Sequence, residues 1–480
     1  MHFIDFSIII IYLLTMLLIG FWFHRKNTNT EDYFVGSRKM TKWHLGLSVV
    51  ATDVGGGFSI GLGGLGFVMG ISGSWILFTG LVGAWLTAVI LIPKVHKTGM
   101  AHKIQTFPEL LKHNYGKTVA LTAALISAIG YMGFTASQVL AGAKLSSATF
   151  TGISITEAVI VMGAIAVIYT ALGGIKAVIY TDTIQWIILL AGLSLIGIPY
   201  ALKSLGGWEA AKVFLDAEML QLNNIKIMTI VNWAFSIIPI WFIGMTLYQR
   251  IFAAKSASEA KKAWFIAGLF EYPFMAFLGV FLGLLAKAAF LSGVIPEAYM
   301  SNPDSETAMP IMLKQVLPVG ALGLIMAAYF SAILSTADSC LMAASGNISL
   351  DLFKYKNADN ALKMSQWMTL LVGILAIIVA LYIPSVLELM LLSYAFMVCG
   401  LMAPVLGFII FKNPSRKAAL TAMISGSGIL LIIKITKIEM PWQLDAVVPG
   451  LLISILLMFL VQWYDQTNKK RQKTELIQTK

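Results

Sequence analysis

The sequence predicts an all-α polytopic membrane protein, and three observations carry that prediction. Of its 480 residues 58% are apolar and only 12% charged, where an ordinary soluble domain carries about 25% charged residues; the mean hydropathy is +0.82. The apolar residues gather into runs of about 20, the length at which a helix spans a bilayer core. The lysines and arginines behind the net charge of +11 fall between those runs, a pattern of membrane topology rather than of a nucleic-acid-binding face.

Thirteen runs follow one another, at 5–23, 43–70, 73–93, 119–143, 154–172, 179–200, 229–249, 264–286, 315–347, 364–383, 386–411, 418–433 and 443–463. The first is read as a retained helix, because Met1 to Asp5 has no basic region and no small-residue cleavage site follows. With the N-terminus outside, 26 of the 34 lysines and arginines fall on cytoplasmic segments, which predicts an N-out, C-in orientation. A unit of five helices starts and ends on opposite sides, so an immediate copy must be inverted. The stretches 43–200 and 229–411 form such a pair by topology, without clear sequence identity, and inverted repeats are a hallmark of secondary transporters. The expected organisation is an extra N-terminal helix over 1–26, two inverted five-helix repeats, two extra helices over 417–463, and a cytoplasmic tail over 464–480. Cys340 and Cys399 both lie inside apolar runs and are read as packing residues rather than a disulfide framework.

The second run holds Ala51-Thr52-Asp53-Val54-Gly55-Gly56-Gly57-Phe58. Three glycines weaken a helix by about 0.8 to 1 kcal/mol each relative to alanine, and a carboxylate at membrane depth costs more again. A helix that only packs gains nothing from either. The favoured reading is a broken helix whose freed carbonyls line a cation or solute site; the alternative is a glycine packing face with Asp53 at an interface. Gly61, Gly63 and Gly66 formally spell a dinucleotide fingerprint. That motif requires a strand before and a helix after it, and inside an apolar run close helix packing is the better account.

In the ninth run, positions 332, 335, 336 and 339 share one helical face. They present Ala332, Ser335, Thr336 and Ser339, with Asp338 beside them, a set that can replace the oxygen shell of a small hard cation; helix packing and back-bonding are the alternatives for the hydroxyls. Asp182 near the start of the sixth run reads by itself as a helix cap. Glu271, followed by Tyr272 and Pro273, marks a kink, and Glu388 lies near the outer end of its helix; local solvation and bundle hydrogen bonding account for both at least as well as transport does. No Lys or Arg is expected in the core of any run, so a mobile cation is the natural partner of the acidic residues. None of the six histidines lies deep in a run, and no P-loop, nucleophile elbow or zinc motif is present. An enzyme and an ATP-driven pump are both disfavoured.

These residues resemble the sodium/solute symporter family, which shares the LeuT-type fold. The resemblance runs through Asp32-Tyr33-Phe34-Val35-Gly36-Ser37-Arg38, Ala51-Thr52-Asp53, the Gly173 to Gln185 stretch, Gln249-Arg250 with Ala253-Ala254-Lys255-Ser256, and Ser335-Thr336-Ala337-Asp338-Ser339. It implies sodium-coupled solute uptake by alternating access. Carried over by position, a sodium ion would be held between the first and eighth core helices by the backbone carbonyls of Ala51, Val54 and Ala332 and the hydroxyls of Ser335 and Thr336. A second sodium would sit near Asp182, with Ser339 and Asp338. The solute would lie along Asp53, Gly55, Gly56, Gly57 and Phe58, with Trp75 and Trp241 as aromatic candidates beside Phe134 and Trp233. Choline-transporter-like and proline-transporter-like features occur together, which points to a small polar organic solute, an amino acid or amine ahead of a sugar or vitamin. Proton coupling and a transporter-like solute sensor are the competing readings. The expected partners are that solute, sodium and membrane lipid, with no cofactor, no nucleic acid and no obligatory protein partner; a bacterial inner membrane is the expected location.

Overall fold

The computed structural model describes residues 1–24, 38, 40–150, 152–172, 175–296, 304–352 and 358–478. Among them the only extended pairing is an isolated bridge between Met40 and Ala254; the rest is helix and connection. The helices are α1 (Phe3–His24), α2 (Lys42–Met69), α3 (Trp75–Ile90), α4 (Ile92–His102), α5 (Phe107–Tyr115), α6 (Lys117–Thr149), α7 (Ile155–Leu172), α8 (Ile175–Gly192), α9 (Ile198–Ser204), α10 (Trp208–Lys212), α11 (Ile227–Ile243), α12 (Met245–Ala253), α13 (Ala257–Leu269), α14 (Ala276–Leu291), α15 (Ser305–Val316), α16 (Ala321–Gly346), α17 (Ala358–Tyr382), α18 (Val386–Ile410), α19 (Arg416–Thr436) and α20 (Val447–Gln478). Every expected apolar run contains helix. By length and apolarity, nine spans among the described residues can cross a membrane, or ten with the bent pair α11 and α12; Phe3–Thr15 and Ile155–Ile168 are shorter apolar helices. This count differs from thirteen partly because Ser59–Ile90 runs through the Gly70–Ser74 turn as one apolar stretch.

Two helices organise the bundle. The apolar window of α16 is 94% buried, against 28% for that of α17, so α16 is central and α17 faces outward. α2 packs on α8, α13, α14, α15 and α16, while α16 also packs on α1, α6 and α8. Small residues let these backbones approach. A Cβ on Gly66 would run into the backbone of Val280, and one on Gly283 into that of Gly63. The glycines after position 60 therefore serve close helix packing on several sides, Gly66 against α14, Gly63 and Gly64 against α15 and Gly61 against α18.

Polar side chains tie the ends of the bundle. Near the start of α2, Met40 exchanges backbone hydrogen bonds with Ala253 and Lys255, and the Lys42 amide donates to Glu259 Oε2 at 2.8 Å. Near the other end of α2, the Glu306 carboxylate on α15 gathers four donors. Lys144 Nζ reaches it at 2.7 Å, joined by the Ser385 hydroxyl at 3.0 Å, the Val386 amide at 2.9 Å and the Leu387 amide at 3.0 Å. Its own amide in turn donates to the Asp304 cap at 3.0 Å, and Asp304 also pairs with Lys144 at 2.7 Å. One carboxylate thus caps α18 and pairs a buried lysine. Asp5, buried on α1, similarly accepts from the amides of Gly320 and Gly323 at 2.7 and 2.9 Å and caps α16.

Glu306→Ala leaves Lys144 with Asp304 alone and strips two α18 amides of their acceptor. Thermal unfolding of the purified protein is expected to show a loss of about 3 kcal/mol, and a melting temperature equal to wild type would contradict the capping role.

Candidate functional site

The site is built where α2 stops being a helix. Gly55 has φ +32° and ψ −167° inside Lys42–Met69, a conformation that costs an L-residue about 1 to 2 kcal/mol. A Cβ there would collide with the Thr336 hydroxyl of α16, so glycine is required both by backbone angle and by contact. The backbone groups released at the break find partners, as they must at membrane depth. Ser59 Oγ donates to the Gly55 carbonyl at 2.7 Å, and Thr336 Oγ1 donates to the Ala51 carbonyl at 3.3 Å. Thr336 and Ser335 also donate to the Ala332 carbonyl at 3.1 and 3.2 Å. Four of the expected oxygens, from Ala51, Ala332, Ser335 and Thr336, are therefore assembled at one crossing. A hydroxyl that donates its proton to a carbonyl keeps its lone pairs, so the back-bonded geometry still presents oxygen to a cation.

A second break, absent from the sequence expectations, lies at Gly244, where α11 and α12 bend by 41°. Pro239 precedes it by one turn. Tyr248 Oη donates to the Phe242 carbonyl at 2.8 Å, and the Thr246 amide donates to Tyr131 Oη at 3.1 Å. Phenolic side chains thus complete the interrupted ladder.

The expectation that no cation enters the core is corrected by α12 and α6. Arg250 is fully buried, with Nε on Ser48 Oγ at 3.1 Å, one terminal nitrogen on Thr52 Oγ1 at 2.5 Å, and the other on the Thr246 carbonyl at 3.0 Å. Lys144 is buried as well. Both stand just beyond an apolar run in the sequence, and both are drawn inward because helix ends here are covered by neighbouring elements. Arg250 joins the first half of α2 to α12, and Arg250 and Asp338 both lie within electrostatic reach of Cys340.

Asp53 is buried and faces Glu271, with the Tyr394 hydroxyl beside it. Glu271 sits in a π-helical turn, Phe270–Met275, between α13 and α14. Its carboxyl rests on Gly80 of α3, next to the Trp241 indole. Apart from Asp53, no hydrogen-bonding group reaches either Glu271 oxygen or the Tyr394 hydroxyl, and none reaches the Trp241 N–H. Phe134 meets Tyr394 edge to face at 5.1 Å. From sequence Glu271 reads as a kink marker for which a transport role is no better than local solvation or bundle hydrogen bonding, and Tyr394 carries no signal of its own; a carboxylate within an apolar run is what the sequence offers.

Trp75 and Trp233 are engaged elsewhere. The Trp75 N–H donates to the Leu222 carbonyl at 2.9 Å, which ties it to the connection before α11. Trp233 lines a cavity of about 380 Å³ with Asn232, Ser236, Ser385, Glu388 and Leu391. Ser339 and Asp338 are buried on α16, and the Ser339 hydroxyl has no hydrogen-bond partner. Asp182 belongs to α8, which packs on α16. Val54, Gly56, Gly57 and Phe58 belong to α2. The side chains of Asp182, Val54, Phe58 and the positions of Gly56 and Gly57 beyond their helix membership lie outside the described residues, as do Asp32 to Ser37, Gly173 and Gly174.

Gly55→Ala is expected to cost about 2 kcal/mol or more, read as a fall in melting temperature. An unchanged melt would mean that α2 runs on without a break at that point.

The chain matches the sodium:solute symporter family over residues 33–426. It is 25% identical over 486 residues to a sodium/proline symporter of Staphylococcus aureus, across 94% of this chain and 91% of that protein. It is 27% identical over 386 residues to sodium/myo-inositol cotransporter 2 of Mus musculus, across 73% of this chain and 56% of the cotransporter. The match thus spans a little over half the length of such inositol relatives. The solved structure of a Na+-coupled sialic acid symporter in its substrate-bound outward-open state has the same fold, with TM-score 0.78 at 20% identity over 96% of this chain and 98% of that one. A break in a buried helix, crossed by a hydroxyl-bearing face, is the geometry of a membrane-embedded carrier rather than of an enzyme; the chain belongs to the sodium:solute symporter family.

Proposed function

We propose that this protein is a sodium-coupled symporter that imports a small polar organic solute, an amino acid or amine before a sugar or vitamin, by alternating access. Sodium binds where α2 breaks against α16, with the carbonyls of Ala51, Val54 and Ala332 and the hydroxyls of Ser335 and Thr336 as ligands. The observation that supports this most directly is the hydrogen bond of Thr336 to the Ala51 carbonyl beside the φ +32° glycine. It brings oxygen from two helices to one point at membrane depth, in a chain whose family couples solute movement to sodium. Asp182, Asp338 and Ser339 form a second sodium region in this reading. Thirteen spans, a five-plus-five inverted repeat, the N-out, C-in orientation and a bacterial inner membrane belong to the same proposal.

Ion and solute are linked through one element. Sodium at Ala51 and Thr336 braces the break in α2, and the solute binds the same helix within a turn. Each then favours the conformation that the other needs.

Ser335→Ala and Thr336→Ala each remove one oxygen ligand. Sodium-dependent thermal stabilisation, with potassium as the reference ion, is expected to require about tenfold more sodium in either variant. Wild-type sodium dependence in both variants would reject the assignment.

A further inference from the structure

Among the buried polar groups of the described residues outside the proposed sodium ligands are the Glu306 cluster, the Arg250 cluster and the Asp53, Glu271, Trp241 and Tyr394 cluster. The first two are satisfied. Glu306 has lysine, hydroxyl and amide donors, and Arg250 spends its guanidinium on Ser48, Thr52 and Thr246. The third is not. Apart from the facing Asp53 carboxyl, nothing partners either buried oxygen of Glu271, and the Trp241 N–H and the Tyr394 hydroxyl, the latter also beside Asp53, make no hydrogen bond of normal geometry. A buried carboxylate without a donor costs several kcal/mol, and here it faces a second carboxylate, Asp53. Among the described residues the buried lysine and arginine, Lys144 and Arg250, are already held elsewhere. A positive charge that comes and goes would meet the pair's need.

The mixture of atoms selects its kind. A bare metal ion uses oxygen and has no use for an N–H donor, whereas the Trp241 indole offers only an N–H. An ammonium group satisfies Glu271 and Asp53 through its own N–H or N–CH bonds. A neighbouring acceptor on the same molecule meets Trp241 or Tyr394, and the aromatic surfaces of Trp241, Tyr394 and Phe134 suit a cation. A nearby cavity has two acidic side chains, Glu388 and Asp445, and one basic one, Lys434, which pairs with Asp445. The cavity lined by Trp233, Ser236, Leu391 and Glu388 lies on the two helices that continue to Trp241 and Tyr394. Ser236 is about 7.5 Å along α11 from Trp241, and Leu391 about 4.5 Å along α18 from Tyr394.

We infer that Glu271 and Asp53 bind the positively charged ammonium group of the transported solute between α2, α3 and the turn joining α13 to α14, with Trp241 and Tyr394 contacting the rest of the molecule. This deepens the symport reading and rests on it. Glu271 is the residue that sets the charge of the substrate, and uncharged or anionic solutes leave it unpartnered.

The test uses the full-length purified protein and thermal stabilisation in saturating sodium. The probes are L-proline, glycine betaine, choline and putrescine, against myo-inositol, N-acetylneuraminate and succinate. At least one ammonium compound is expected to stabilise the protein and no neutral or purely anionic one to do so. Glu271→Gln is expected to weaken that compound by about tenfold or more while keeping the stabilisation by sodium alone. Trp241→Phe, which keeps the ring and removes the N–H, should weaken it severalfold and serves if Glu271→Gln does not fold. Binding of myo-inositol or succinate in preference to every ammonium compound, no response to any ammonium compound, or unchanged affinity in the variants would each overturn the inference. A binding event accompanied by proton uptake that Glu271→Gln abolishes would assign the pair to a proton and overturn it too. Failure of sodium itself to stabilise the wild type would instead count against the symport reading.

Discussion

A chain in a bilayer has no water to satisfy a broken helix, so every interruption must be covered by another part of the protein. That constraint acts most sharply at Gly55, where α2 turns into a left-handed conformation directly under the Thr336 hydroxyl. The cover is α16, and its burial on all sides follows from that role. The α2 helix can be central because glycines let α14 press against its second half, while Arg250 and Glu259 hold its first half. The bundle is arranged around one flaw in one helix.

Carboxylates in this protein divide by what donates to them. Glu306 is surrounded by lysine, hydroxyl and amide donors and behaves as a structural bolt; Glu271 has no donor and a carboxylate for a neighbour. Residue type and burial are the same in both. What differs is the geometry of helix ends. Glu306 lies where the N-terminus of α18 exposes amides, and Glu271 lies in mid-membrane, where a π-helical turn directs its side chain onto the bare glycine face of α3. Fixed donors make a strut, and their absence leaves a vacancy for a charge carried by something else.

Much of this was legible from residue order alone. Hydropathy runs located the helices, and glycines beside Asp53 located the break. The hydroxyls of Ser335 and Thr336 fall on the helical face that meets Ala51, because a period of 3.6 residues fixes which positions share a side. The rest depended on contacts between distant segments. Arg250 and Lys144 look like flanking charges until neighbouring elements cover them. Gly244 breaks a helix that carries only one glycine and one proline, too weak a local signal to separate a break from a kink. Trp75 and Trp241 were equal candidates by type, and only packing separates an indole tied to a loop from one inside the bundle. Glu271 was recognisable as costly, but nothing local showed that its cost goes unmet.

The cap that Asp5 places on α16 has a consequence for how the chain is made. Asp5 is synthesised more than 300 residues before the two amides that it receives, from Gly320 and Gly323. Through most of synthesis its carboxylate has no such donors, and lipid offers none. Its position at the very start of α1 resolves the difficulty, since a residue one turn from a helix end can remain hydrated at the membrane surface. The contact therefore reports completion of α16: α1 can pack on α7 and α8 earlier, but this cap closes only after Gly320 and Gly323 have been made.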